Sequence, residues 1–127
     1  MENLEQEGSF KLPKLSLNAD TGVLEIEGKS IPERTSEFYD PVLAWIDEYL
    51  KSPKEETTLN IKLEYCNSSS TRYLMDILER FESMFKEGKK VVINWHYEED
   101  DEDMFDLGQS YSIPLTVPIN LIAIPVG

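Results

Sequence analysis

The chain has 127 residues, 40% of them hydrophobic, and carries 25 acidic against 12 basic side chains, a formal net charge of −13. That length specifies one domain, large enough to bury roughly two thirds of its unfolded surface. The charge argues against nucleic acid and anionic membrane as partners, because phosphates would be repelled, and favours basic protein surfaces.

Met1 to Glu7 is polar and acidic, without a signal-peptide pattern. Residues 1–9 read as a flexible leader to a domain spanning 10–127. No apolar run approaches the roughly 20 residues of a membrane helix. Cys66 is the only cysteine, so neither an intrachain disulfide nor a cysteine-based zinc site is expected. A cytoplasmic location is the expectation. Leu15 and Leu17 alternate with polar residues, as do Leu24 and Ile26, across the turn-like Asn18-Ala19-Asp20-Thr21-Gly22. This predicts a β-hairpin. Gly28 to Thr35 reads as a loop holding Ser30, Pro32 and Glu33. A first helix is predicted from about Ser36 to Lys51, with Phe38, Val42, Trp45, Ile46, Tyr49 and Leu50 at helical spacing. Pro41 fits near its start, and Ser52-Pro53 ends it.

Leu59, Ile61, Leu63 and Tyr65 alternate, predicting a strand that reaches Cys66. A second helix is predicted from about Ser69 to Lys86. Its wide apolar stripe holds Tyr73, Leu74, Ile77, Leu78, Phe81, Met84 and Phe85, and Gly88 stops it. Trp45 and Phe81 are expected core residues. Val91 to Tyr97 is the next strand. In Glu98 to Asp106, seven of nine residues are acidic. Gly108 to Ser112 leads to a short strand over Ile113 to Thr116. Ile119 to Ile124 is a last strand or a packed extension, with Pro114, Pro118 and Pro125 favouring a sheet edge.

The second helix and its flanking strands form a β-α-β unit, so those strands should be parallel. Asn67, Ser68, Ser69, Ser70 and Thr71 follow the first of them, and the acidic segment follows the second. Both should leave the sheet at its carboxyl edge, where α/β domains place their sites, and should be neighbours. A helix N-terminus presents unpaired N–H groups and partial positive charge. A phosphate on Ser68 would be stabilised by both. Asn67, Ser69 and Ser70 shape this turn, and Arg72 is a candidate phosphate partner.

The plainer reading of the hydroxyl run is helix capping, worth about 1 kcal/mol. One cap accounts for one of these residues, and no capping box is present. The plainer reading of Glu98 to Asp106 is a solvated loop. Met104, Phe105 and Leu107 give it an apolar side that suits a short amphipathic helix or a docking surface, which makes Asp100, Asp101, Glu102, Asp103 and Met104 candidate partner contacts. A calcium-loop pattern fails, because Phe105 and Asp106 stand where the third ligand and the glycine belong. His96 is the lone histidine, too little for a histidine-based metal site. No metal or cofactor is expected, and no GxSxG, Walker A or GxGxxG motif occurs.

Four segments together resemble one family. They are Gly28-Lys29-Ser30-Ile31-Pro32-Glu33, Phe38-Tyr39-x-Pro41-Val42, Leu63-Glu64-Tyr65-x-Asn67-Ser68-Ser69-Ser70, and Trp95-x-Tyr97-x-x-Asp100-Asp101-Glu102-Asp103-Met104. In this combination the chain, from about Phe10 onward, resembles the SiaC family of bacterial regulatory phosphoproteins. The resemblance implies a fold similar to the STAS domains of anti-sigma factor antagonists. It also implies partner switching: a cognate protein kinase phosphorylates the protein, a metal-dependent Ser/Thr protein phosphatase reverses this, and the unmodified form binds an output protein such as a diguanylate cyclase. The phosphoacceptor, usually a threonine in Tyr-x-Asn-Thr-Ser-Ser, falls on Ser68, which keeps the hydroxyl. Cys66 stands where the family more often has an aromatic residue, and Gln109-Ser110 where an acidic pair is usual. The expectation is a single α/β domain, a mixed β-sheet packed with helices, acting as a non-enzymatic phosphoprotein in cyclic di-GMP signalling. The alternatives are a small metal-dependent enzyme using the acidic 100–103 cluster, and a constitutive interaction adaptor.

Overall fold

Gly22 is the hinge of the predicted hairpin. Its φ is +74°, and a Cβ there would lie 2.7 Å from the Glu56 carbonyl oxygen, so the turn requires glycine. The computed structural model describes residues 1–126. In chain order the elements are β1 (Leu4–Gln6), β2 (Lys14–Asn18), β3 (Val23–Ser30), α1 (Thr35–Tyr49), β4 (Glu56–Cys66), α2 (Ser68–Lys86), β5 (Lys90–Glu98), α3 (Glu102–Ser112) and β6 (Ile119–Ile124). One six-stranded sheet runs β1-β2-β3-β4-β5-β6. β1, β2 and β3 pair antiparallel; β3 to β6 pair parallel. This is the mixed α/β sheet expected, with β4 and β5 as parallel neighbours around α2 and β6 at an edge.

Alternation along the strands puts Leu15, Leu17, Leu24, Ile26, Leu59, Ile61, Leu63, Ile93 and Trp95 on one face. There they meet Val42 and Ile46 of α1, Leu74, Ile77, Leu78 and Phe81 of α2, and Met104 and Tyr111 of α3 in a single core. The opposite face is polar. Asn60, Asn94 and Asn120 hydrogen-bond across it from strand to strand, at 2.9 and 3.1 Å. His96 pairs in register with Lys62 on that face. Burial and the Lys62 charge lower its pKa, so it is neutral at pH 7.

Several expectations give way to non-local contacts. Leu4–Gln6, expected in a flexible leader, is a strand paired with β2. It is held in part because the Trp45 indole N–H donates to the Glu2 carbonyl at 2.8 Å. Trp45 is therefore half-buried under the N-terminal segment and not in the core, whereas Phe81 is fully buried. The expected loop from Gly28 is still strand as far as Ser30, continued through a register shift at Gly28/Lys29. Most of the acidic segment is helix, and α3 runs straight through Gly108. A Cβ at Gly108 would lie 2.5 Å from Trp95 Cδ1, so this glycine lets the helix approach the indole and breaks nothing.

No strand forms over Ile113 to Thr116. That segment is anchored instead by Glu82 of α2, whose carboxylate accepts from the Thr116 N–H and hydroxyl at 3.0 Å and from the Val117 N–H at 2.7 Å. Burial would raise the Glu82 pKa, but these bonds together with Lys86 outweigh it and lower the pKa. A lowered folded pKa stabilises the fold above the unfolded value, about 4.3, and that stability is lost as pH falls through the folded value. Glu82→Gln is expected to cost about 1–3 kcal/mol at neutral pH. It should also flatten the acid limb of stability below about pH 4.3. Urea melts across pH 2–7 check both.

Candidate functional site

Asn67 has an extended backbone and caps α2 by accepting the Ser70 N–H at 3.0 Å. Its side-chain amide donates to the Pro32 carbonyl at 3.3 Å, and its own N–H donates to the Ser30 carbonyl at 2.9 Å. The turn is thereby tied to the segment leading into α1. A second tie joins the two helix starts: the Thr35 hydroxyl donates to Ser69 Oγ at 2.6 Å, and Ser69 donates to Asn67 Oδ1 at 3.1 Å.

The four hydroxyls after Asn67 have different fates. Ser70 is fully buried and belongs to a hydrogen-bonded chain with Ser30 and Tyr39. Its hydroxyl donates to the Ser30 carbonyl at 3.2 Å. Burial pushes the Tyr39 phenol up to about 12, so the chain stays neutral. Thr71 donates to the Ser68 carbonyl at 2.6 Å. Ser69 is engaged as described. Ser68 is exposed, is the first residue of α2, and its hydroxyl has no partner among the described residues. The N–H groups of Ser68 and Ser69 are likewise without partners there, as the first turn of a helix leaves them. Arg72 is exposed and unpaired among the described residues, one helical turn on at i+4, on the same face as Ser68. Burial pushes the half-buried Cys66 thiol up to about 11, which keeps it protonated and unreactive.

The acidic segment divides in the same way. Asp101 caps α3, accepting the Met104 N–H at 3.0 Å. Met104, grouped with the acids as a candidate partner contact, is 5% exposed, and its carbonyl accepts the Trp95 indole N–H at 2.9 Å. It faces the core because it sits on the inner side of α3, so it offers a partner no surface. Asp100, Glu102 and Asp103 are exposed. Among the described residues no three His, Cys, Asp or Glu side chains come together in a way that could hold a metal ion.

β4 and β5 are adjacent and parallel, so the Ser68 turn and the acidic segment do leave at one sheet edge. The contact between them is made by Tyr111, whose hydroxyl donates to the Thr71 carbonyl at 2.6 Å. No acid of 100–103 forms a hydrogen bond or ion pair with the turn among the described residues. Beside the turn lies an open groove of about 800 Å³, lined by Phe10, Leu12, Pro32, Phe38, Pro41 and Val42 among others. Pro32 is common to the groove and the Asn67 contact. Sequence reading assigns these residues no site, although Pro32, Phe38, Pro41 and Val42 stand in segments that carry the family resemblance; the structure adds that Phe10 is exposed at their side, 74% accessible.

The same domain is found in known proteins. An uncharacterized protein of Pseudomonas aeruginosa (strain UCBPP-PA14) is 28% identical over 123 residues, covering 97% of this chain and 98% of that protein. The crystal structure of apo-SiaC from Pseudomonas aeruginosa superposes with a TM-score of 0.89 at 27% identity, over 97% of this chain and all of that one. A chain in the crystal structure of the diguanylate cyclase SiaD in complex with its activator SiaC, from the same species, gives a TM-score of 0.90 at 27% identity, over 95% of this chain and 99% of that one. The family model described as SiaC family regulatory phosphoprotein matches residues 6–124, so this chain belongs to the SiaC family.

Proposed function

We propose that this protein is a non-enzymatic, cytoplasmic partner switch set by phosphorylation of Ser68. One observation carries the choice of residue: of the four hydroxyls at the α2 start, only that of Ser68 is both exposed and free of any partner among the described residues. A phosphate there meets the free N–H groups of Ser68 and Ser69, the positive end of α2, and Arg72. A cognate kinase adds it and a metal-dependent Ser/Thr phosphatase removes it. The unmodified form binds the output protein, and a diguanylate cyclase is the class favoured by the SiaC–SiaD complex of the relative. The output partner reads the Ser68–Arg72 face together with the groove beside Pro32, and Asp100, Glu102 and Asp103 add charge contacts.

The test is phosphosite mapping after incubation with the cognate kinase. A single phosphate on Ser68, abolished by Ser68→Ala, is expected. Phosphate on Ser36, Ser70 or Thr71 with Ser68 empty would refute the assignment.

A further inference from the structure

All 25 acidic and 12 basic side chains precede Leu107, so residues 107–126 carry no charge on a chain of net −13. This stretch ends in β6, which forms one edge of the sheet. Four of the large apolar side chains left exposed lie within it or just beyond the strand: Ile113 at 81%, Ile122 at 37%, Ile124 at 38% and Val126 at 43%. Proteins protect open edges with short strands, charges or cover. The far edge follows that rule: β1 has three residues, includes Glu5, and is flanked by Glu2 and Glu7. The β6 edge does not. Pro118 and Pro125 merely confine the open stretch to Ile119–Ile124.

We infer that β6 is a self-association surface, pairing antiparallel with β6 of a second copy of this chain about a two-fold axis. Electrostatics selects that occupant. Acidic charge reaches this strip at its far end, where Glu98 pairs with Ile124 and the Glu99 carboxylate accepts the Val126 N–H at 3.3 Å. The 119–123 stretch carries none of its own, so it offers a basic partner no counter-charge and is where a second −13 chain is repelled least. The backbone fixes the register. The Ile124 carbonyl accepts the Glu99 N–H at 2.9 Å, so Ile124, and with it Ile122 and Asn120, points its backbone polar groups toward β5. Ile119, Leu121 and Ala123 therefore point theirs outward, and have no partner there among the described residues. In antiparallel pairing the outward residues face one another. Leu121 then meets its own copy on the axis, and Ile119 meets Ala123 on either side. The contact is isologous, so it closes at two chains. A six-residue edge makes a small interface, so the dimer should be concentration-dependent.

The experiment is sedimentation equilibrium of the full chain at rising concentration, in low and high salt, with amide hydrogen exchange read by NMR. The mass should rise from 14.7 kDa toward twice that value. It should rise further in high salt, which screens the mutual repulsion. Exchange at Ile119, Leu121 and Ala123 should slow with concentration, while Asn120, Ile122 and Ile124 stay protected throughout. Two variants should stay monomeric with unchanged thermal melts: Ala123→Pro, which removes an outward N–H, and Ile122→Lys, which places charge on the strip. A wild-type mass fixed at that of one chain in high salt would overturn the inference. So would a dimer in which the Ile119, Leu121 and Ala123 amides exchange as fast as in the monomer.

Discussion

Phe81→Ala is expected to destabilise the domain by about 3–5 kcal/mol, the range for truncating a buried aromatic side chain. Phe81 lies at the centre of the α2 stripe, fully buried in the core that joins α2 to the sheet. Close packing leaves a cavity that the surrounding side chains cannot fill without moving helix or sheet. Trp45 provides the internal comparison. It also lies on a helical apolar stripe, but it is half-buried, stacks on Tyr49 at 5.4 Å, and bonds to Glu2. Trp45→Ala should cost less, about 1–2 kcal/mol, and should loosen the pairing of β1. Urea midpoints with an unchanged slope measure both. A loss below about 1 kcal/mol for Phe81→Ala would contradict the core described here.

Phosphorylation of Ser68 is expected to weaken output-partner binding at least tenfold while leaving the fold intact. A phosphate adds roughly −1.5 to −2 charge. Against −13 that changes the long-range field little, so the effect must be local. Among the described residues nothing in the turn opposes the phosphate: Ser68 is exposed, its N–H has no partner there, and Arg72 is one turn away. Among the described residues no acid at the start of α3 bonds to the turn; α3 reaches it through Tyr111, about 13 Å along the helix from Glu102. On the proposed reading the switch acts at the turn, where the phosphate is expected to engage Arg72, reverse the local sign and add bulk against the partner. A tenfold loss corresponds to about 1.4 kcal/mol, which one new charge at a contact readily supplies. Ser68→Ala should bind like the unmodified protein. Ser68→Asp, with about half the charge and fewer acceptor oxygens, should weaken binding only in part.

Much of this molecule is legible in its sequence where periodicity is local. The Leu15/Leu17 and Leu24/Ile26 alternation specifies the hairpin. The stripe from Tyr73 to Phe85 specifies α2, and the prolines around Ile119–Ile124 place β6 at an edge. What escapes sequence reading depends on distant contacts. Leu4–Gln6 is too short for any period, and is a strand because β2 and Trp45 receive it. Gly108 to Ser112 reads as a link to the next strand, and is helix because Gly108 lets α3 close on Trp95. Glu82 carries no signal in the sequence, because the Thr116 and Val117 N–H groups that surround it lie more than thirty positions on. At the site, the hydroxyl run and its helix start are visible in sequence. The distinction among the hydroxyls is not, because Ser70 is engaged by Ser30 forty positions away and Ser69 by Thr35 across the domain. Met104 reads as part of an apolar side that suits a docking surface, whereas that side of α3 packs Met104 into the core.

The most direct test of the switch is titration calorimetry of the output partner against the unmodified and the Ser68-phosphorylated protein, at low and high salt. Tight binding of the unmodified form and at least tenfold weaker binding of the phosphorylated form are expected, with both giving the same thermal melt. Equal affinities for the two forms would contradict the account.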